Sequence, residues 1–175
     1  MDDLTWLNSH TVFAALASDA SAADVRAQLA QAAESGHTSA VVHPTHLGLV
    51  PGEMTKIAVV GFPTGRHHSL VKAAEARLAV EFGAGEIWLA VDETIADENS
   101  LLADVVAVRQ SVPPPVRLAV IAATEAGSRV AYAAGAEAAV VDKHRRTGDI
   151  VRVTTVDESV AALEAGATRL VAWPR

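Results

Sequence analysis

Cysteine is absent from the 175-residue chain, which excludes disulfides, thiol nucleophiles and thiolate metal sites. Aromatic residues make up only 4% of it, too few for an aromatic-lined cavity. Lysine is scarce: Lys56, Lys72 and Lys143 are all there is. Positive charge as a whole is short, with 14 basic against 21 acidic residues and a formal net charge of −7. Such a balance carries no electrostatic footprint for nucleic acid or an anionic membrane. No apolar run approaches the ~20 residues of a membrane span. Met1-Asp2-Asp3 also lacks the basic start of a signal peptide. The expectation is a cytoplasmic protein with neither a nucleic-acid nor a membrane partner. What is plentiful is apolar and small: half of the chain is hydrophobic, enough to bury a core within one domain spanning 1–175.

Short apolar, valine-rich runs recur at 10–14, 40–43, 57–61, 87–91, 116–121, 138–141, 150–153 and 169–173. Continuous runs of that length suit parallel strands covered on both faces. Alanine-rich amphipathic stretches such as 22–35 and 70–82 lie between them. Ser21-Ala22-Ala23-Asp24 has the form of a capping box. A glycine then marks the end of four helical stretches, at Gly36, Gly83, Gly135 and Gly166, just before the next strand. Alternating strands and helices predict a parallel α/β architecture, and eight strand candidates favour a (β/α)8 barrel of TIM type. No Gly-x-Gly-x-x-Gly follows the first strand, which weakens a dinucleotide-binding sheet as the alternative.

A complete barrel takes roughly 250 residues, so something must be missing. Only residues 142–149 separate the sixth and seventh strand candidates, whereas a parallel crossover needs about a dozen. That segment reads as a hairpin or an irregular turn, with Gly148 free to take positive φ. The chain stops at Pro174-Arg175, leaving no helix after the last strand. The expected fold is a barrel truncated or distorted after its sixth strand. Pro113-Pro114-Pro115 serves it as a stiff connector.

Several motifs then fall in order. Gly61-Phe62-Pro63-Thr64-Gly65, Val71-Lys72-Ala73-Ala74-Glu75-Ala76 and Gly83-Ala84-Gly85-Glu86-Ile87 come first. His10-Thr11, Val42-His43-Pro44, Ala134-Gly135-Ala136 and Glu164-Ala165-Gly166-Ala167-Thr168-Arg169-Leu170 flank them. Together they resemble the deoxyribose-phosphate aldolase family over most of the chain. The resemblance implies class I aldolases, needing no cofactor, in which a lysine forms a Schiff base with acetaldehyde or the cleaved sugar. That lysine must be neutral enough to attack a carbonyl, and a further group must move the proton. The family's acid/base aspartate falls on Trp88 and its Schiff-base lysine on Val140. Nothing like its second lysine segment on the seventh strand, or its terminal phosphate loop, is found. The implied function is an aldolase-like protein without the aldolase reaction, acting in binding or assembly.

Other residues carry alternatives. Lys143 follows the sixth strand on the face where barrels keep their function, and a relocated imine there would make an active aldehyde lyase cleaving 2-deoxyribose 5-phosphate. The plainer reading is a solvated loop lysine. His43, His46, His67 and His68 follow the second and third strands on that same face. With Asp92 or Asp142 they make a weak zinc-type set, against an expectation of no metal. Arg145-Arg146 or Gly65-Arg66-His67-His68 could hold an anion, against the plainer reading of solvated turns. Asp97 and Glu98 are explained by the start of a helix. The partner expected is a small phosphorylated sugar or an aldehyde. Apolar surface left by missing helices points to a homo-oligomer, or to pairing with a catalytic paralogue.

Overall fold

The computed structural model describes residues 2–95 and 97–173. Eight strands follow one another in order around a closed barrel. They are β1 (Thr11–Ala15), β2 (Ser39–Val42), β3 (Thr55–Val60), β4 (Glu86–Ala90), β5 (Arg117–Ile121), β6 (Ala138–Val141), β7 (Ile150–Val153) and β8 (Arg169–Ala172). Every neighbouring pair is parallel, and β1 closes on β8 with Thr11 opposite Leu170. Around it lie α1 (Asp3–Ser9), α2 (Ala22–Glu34), α3 (Ser69–Glu81), α4 (Glu98–Ser111), α5 (Glu125–Ala133) and α6 (Val156–Glu164). The core has two shells. Val12, Val41, Ile57, Val59, Trp88 and Ile150 pack inside the barrel, while Val25, Leu29, Ala76, Val105 and Val130 pack between strands and helices.

Local signals set these boundaries. Ser21 caps α2 by accepting from the Asp24 N–H, and Asp24 accepts in return from the Ser21 N–H. At the end of α2, Gly36 has φ +96°. Its N–H returns to the Ala33 carbonyl, and the His37 N–H returns to Ala32. The same double bond closes α3, α5 and α6 at Gly83, Gly135 and Gly166, turning each helix into the next strand in a minimum of chain.

The barrel is economical where helices are missing. β2 and β3 are joined through a 3-10 turn, Pro44–Leu49, and β8 is the last element among the described residues. Pro174 and Arg175 lie outside the described residues. Residues 142–149 are not a hairpin, because β7 runs parallel to β6 with Val140 opposite Ile150. The chain returns from one end of the barrel to the other in eight residues without a helix.

Asp149 holds that crossing together. Its buried carboxylate accepts the N–H groups of Arg145 and Arg146 at 2.8 and 2.9 Å and the Tyr132 hydroxyl of α5 at 2.7 Å. The Arg146 guanidinium sits 5.7 Å from the centre of the Tyr132 ring, and Gly148 turns the chain at φ +101°. Burial of the Tyr132 phenol, and then its bond to Asp149, push its pKa well above the ordinary value.

Asp149→Ala would leave three donors without their acceptor, and urea titration should show a loss of about 2–3 kcal/mol. Tyr132 is the chain's one tyrosine, so its ionisation can be isolated. The unfolded phenol gives up its proton near pH 10 while the folded one retains it, so stability should fall as pH rises above that value. Tyr132→Phe should remove that part of the fall in urea titrations run at successive pH values.

Candidate active site at the barrel mouth

Function in such barrels sits at the C-terminal ends of the strands, and here the loop after β3 organises that end. Gly61 and Gly65 both take positive φ, +65° and +70°, and the Gly65 N–H donates to the Gly61 carbonyl at 2.8 Å. A Cβ on Gly65 would lie 2.2 Å from the Val91 carbonyl carbon, so only glycine lets this loop lie on the chain leaving β4. The Gly61 N–H donates to Glu75 of α3 at 2.8 Å. Lys72 of α3 packs beneath Gly61, and its buried ammonium pairs with Asp104 of α4 at 2.5 Å. Two glycines, Lys72, Glu75 and Asp104 thus bind loop and helices into one rigid unit.

That unit delivers Phe62 to the mouth. Its ring centre lies 5.4 Å from Trp173 and 5.8 Å from His43. The Arg152 guanidinium of β7 stacks 4.6 Å from the centre of the Trp173 ring and pairs with Asp142 at 3.5 Å. His46 stands edge-on to His43 at 6.2 Å. The chain of groups Asp142, Arg152, Trp173, Phe62, His43 and His46 spans the mouth. The Nε of Arg152 and the Nδ1 of His46 are buried there without a hydrogen-bond partner among the described residues.

Below this layer the interior is full. Trp88 is 0% and Val140 1% exposed, packed among Ile57, Val59, Ala119 and Ile150. The indole N–H donates to Glu86 at 2.8 Å, and Arg169 of β8 donates to both oxygens of that carboxylate at 3.0 Å. Glu86 is already committed to two donors and opens on no cavity at the mouth. A pocket of about 310 Å3 lies to one side, lined by Ala14, Leu16, Ala17, Gln28 and Trp173, with no charged group among them.

No family model matches the chain. Individual proteins do. It is 35% identical to the deoxyribose-phosphate aldolase of Nocardia farcinica over 170 residues, covering 93% of this chain and 72% of that protein. It is 34% identical to the one from Frankia alni, covering 94% and 90%. The chain belongs to the deoxyribose-phosphate aldolase family. Among solved structures, a protein described as QR15, an aldolase, superposes with a TM-score of 0.82 at 19% identity, over 98% of this chain and 91% of that one. The deoxyribose phosphate aldolase of Aeropyrum pernix, described as having a unique tetrameric structure, gives 0.81 at 19% identity, over 98% and 88%. At such identities these two report the shared barrel.

For a member of the deoxyribose-phosphate aldolase family the lysines are oddly placed. Lys56 opens β3, Lys72 is spent on Asp104, and Lys143 is exposed in the 142–149 loop. Asp142, beside Lys143 in sequence, pairs with Arg152 instead. Lys143 therefore stands in solvent on the loop, outside the packed barrel interior. His43 and His46 approach one another, but His67 and His68 are exposed, and the His68 Nδ1 accepts from the Leu70 N–H as the cap of α3. Among the described residues no group of three or more metal-ligating side chains converges. The N–H groups of Arg145 and Arg146 already bind an anion, the Asp149 carboxylate. Arg66 faces Asp92 at 3.4 Å, whose carboxyl the Thr94 hydroxyl holds below the usual range.

Sequence reasoning missed Arg152, the seventh-strand cation. The signal was there: Arg152 is the lone charge in Ile150-Val151-Arg152-Val153, two residues from inward-facing Ile150, and so on the inner face of its strand.

Trp88→Ala should open a cavity in the barrel and cost about 3–5 kcal/mol in chemical unfolding. Trp88→Phe keeps most of the volume and should cost clearly less.

Proposed function

We propose that this member of the deoxyribose-phosphate aldolase family does not carry out Schiff-base aldol cleavage and acts in the cytoplasm as a binding or assembly component. One observation carries the reading: the barrel interior is packed solid around Trp88 and Val140, and none of the three lysines reaches it. Imine chemistry needs a neutral amine at the carbonyl carbon and an acid/base group beside it. An indole and an isopropyl group provide neither. Lys143 is exposed on the loop after β6 and lies outside that interior.

The names of the relatives point to a small phosphorylated sugar or its aldehyde fragment as the ligand class. Arg152, partly exposed at the mouth beside Asp142, is the group such an anion would meet. Assembly, with a second copy or with a catalytic paralogue, is supported by the apolar surface where helices are missing.

Borohydride trapping tests the reading directly. The protein is incubated with 2-deoxyribose 5-phosphate or acetaldehyde, reduced, and read by intact mass and peptide mapping. No adduct should form while an authentic aldolase is labelled in parallel. An adduct on Lys143 that disappears in Lys143→Ala would instead make this an active lyase with a relocated imine.

A further inference from the structure

We infer that the floor of the barrel, at the end away from the mouth, binds a phosphate group between Arg117 and Arg169, a site separate from the function proposed above. Strand alternation sends every second side chain to the same face. Val12, Val41, Ile57, Trp88, Ala119 and Val171 face inward. Two residues before them along the chain stand His10, Ser39, Thr55, Glu86, Arg117 and Arg169. The lowest inward layer is therefore polar at six of the eight strands, and all six residues line one pocket of about 350 Å3. Contacts at that end of a barrel ordinarily serve stability, but here one cation is left over.

The charges in this layer do not cancel. Arg117 lies opposite Glu86 in the β4–β5 register, yet Glu86 gives its oxygens to Arg169 and to the Trp88 indole. Glu137, just before β6, is held by Arg109 and by the Leu118 N–H. Elsewhere in this acidic chain Arg66, Arg77, Arg129 and Arg152 each find a carboxylate. The Arg117 side chain is exposed and has no hydrogen-bond or ion-pair partner among the described residues. Arg169 spends only Nη1 on Glu86, and its Nη2 and Nε have no partner among the described residues either. Two guanidinium groups thus bring free N–H donors to a pocket that holds one carboxylate.

A phosphate group matches what is left. Guanidinium forks bind its oxygens in pairs. The hydroxyls of Ser39 and Thr55 line the same pocket from two further strands and have no hydrogen-bond partner among the described residues, so they can donate to the remaining oxygens. A carboxylate presents only two oxygens, in one plane. Donors arriving from β2, β3, β5 and β8 instead suit a tetrahedral anion with oxygens on every side. The volume also admits a small organic group on the phosphate, so inorganic phosphate and a phosphate ester are the two sources to separate.

Trp88 supplies the readout, because its indole N–H donates to the carboxylate that Arg169 holds. The chain has three tryptophans, and the Trp88 indole signal in a proton–nitrogen correlation spectrum is the one missing from Trp88→Phe. Inorganic phosphate titrated into the full chain at constant ionic strength should move that signal saturably, while acetate should not. Methyl phosphate binding more tightly than inorganic phosphate marks an ester as the ligand, and binding more weakly marks the free ion. Arg117→Gln, whose side chain has no partner to lose, should weaken phosphate binding about tenfold or more and leave the rest of the spectrum unchanged. Arg77→Gln, the same loss of charge on exposed α3, should bind as the wild type does. A Trp88 signal that stays in place, acetate matching phosphate, Arg117→Gln binding undiminished, or an equal loss in Arg77→Gln would overturn the inference. Borohydride trapping reports on lysine alone, so the two readings fail separately.

Discussion

The hydrogen bond from the Trp88 indole to Glu86, with Arg169 closing on the same carboxylate, ties β4 to β8 across the barrel. A buried carboxylate is tolerable only when charge and hydrogen-bond capacity are both met. Arginine supplies the charge and two bonds, and the indole supplies the third. Held in this way, the largest side chain of the interior sits between Val59 and Ala119 on the neighbouring strands. Ala119 and Ala138 are small and leave it room. Everything above it follows, because the rings at the mouth rest on an interior that is already full.

A filled interior changes what the remaining motifs are for. Gly61, Gly65, Lys72 and Glu75 lie in stretches that resemble an aldolase, yet each is explained by packing. The two glycines allow backbone to lie on backbone, Glu75 accepts a loop N–H, and Lys72 pairs with Asp104. Gly85-Glu86 and Thr168-Arg169 meet in the barrel floor from 83 residues apart. These packing contacts account for the scaffold part of the family pattern by themselves.

Closing eight strands in so short a chain has a cost that appears on the outside. Glycine-ended helices and the Asp149 clasp shorten the connections. Where the 3-10 turn stands in place of a helix, α3 beside it carries exposed Leu70, Val71, Leu78 and Phe82. Closure of the inner sheet satisfies the backbone, while the outer apolar layer is left incomplete.

The order of the elements was legible from local pattern. The strands begin and end within about two residues of the valine-rich runs, and the capping box and glycine punctuation fall where they were read, because each depends on contacts a few residues apart. The chemistry of Trp88 and Val140 was equally legible, being a matter of residue identity, whereas their place in the packed interior came from the fold. The direction of β7 was not: an eight-residue connection fits either sense until Asp149 is seen binding Arg145, Arg146 and a tyrosine from another helix. Nor was the row of groups from Asp142 and Arg152 to His46, which joins loops from β2, β3 and β6 with the inner face of β7 and the end of β8. Sequence by itself determined the periodicity, the caps and which chemical groups exist. Tertiary structure alone decided which of them meet, because a barrel brings together residues separated by most of the chain, and short-range preferences carry no information about such contacts.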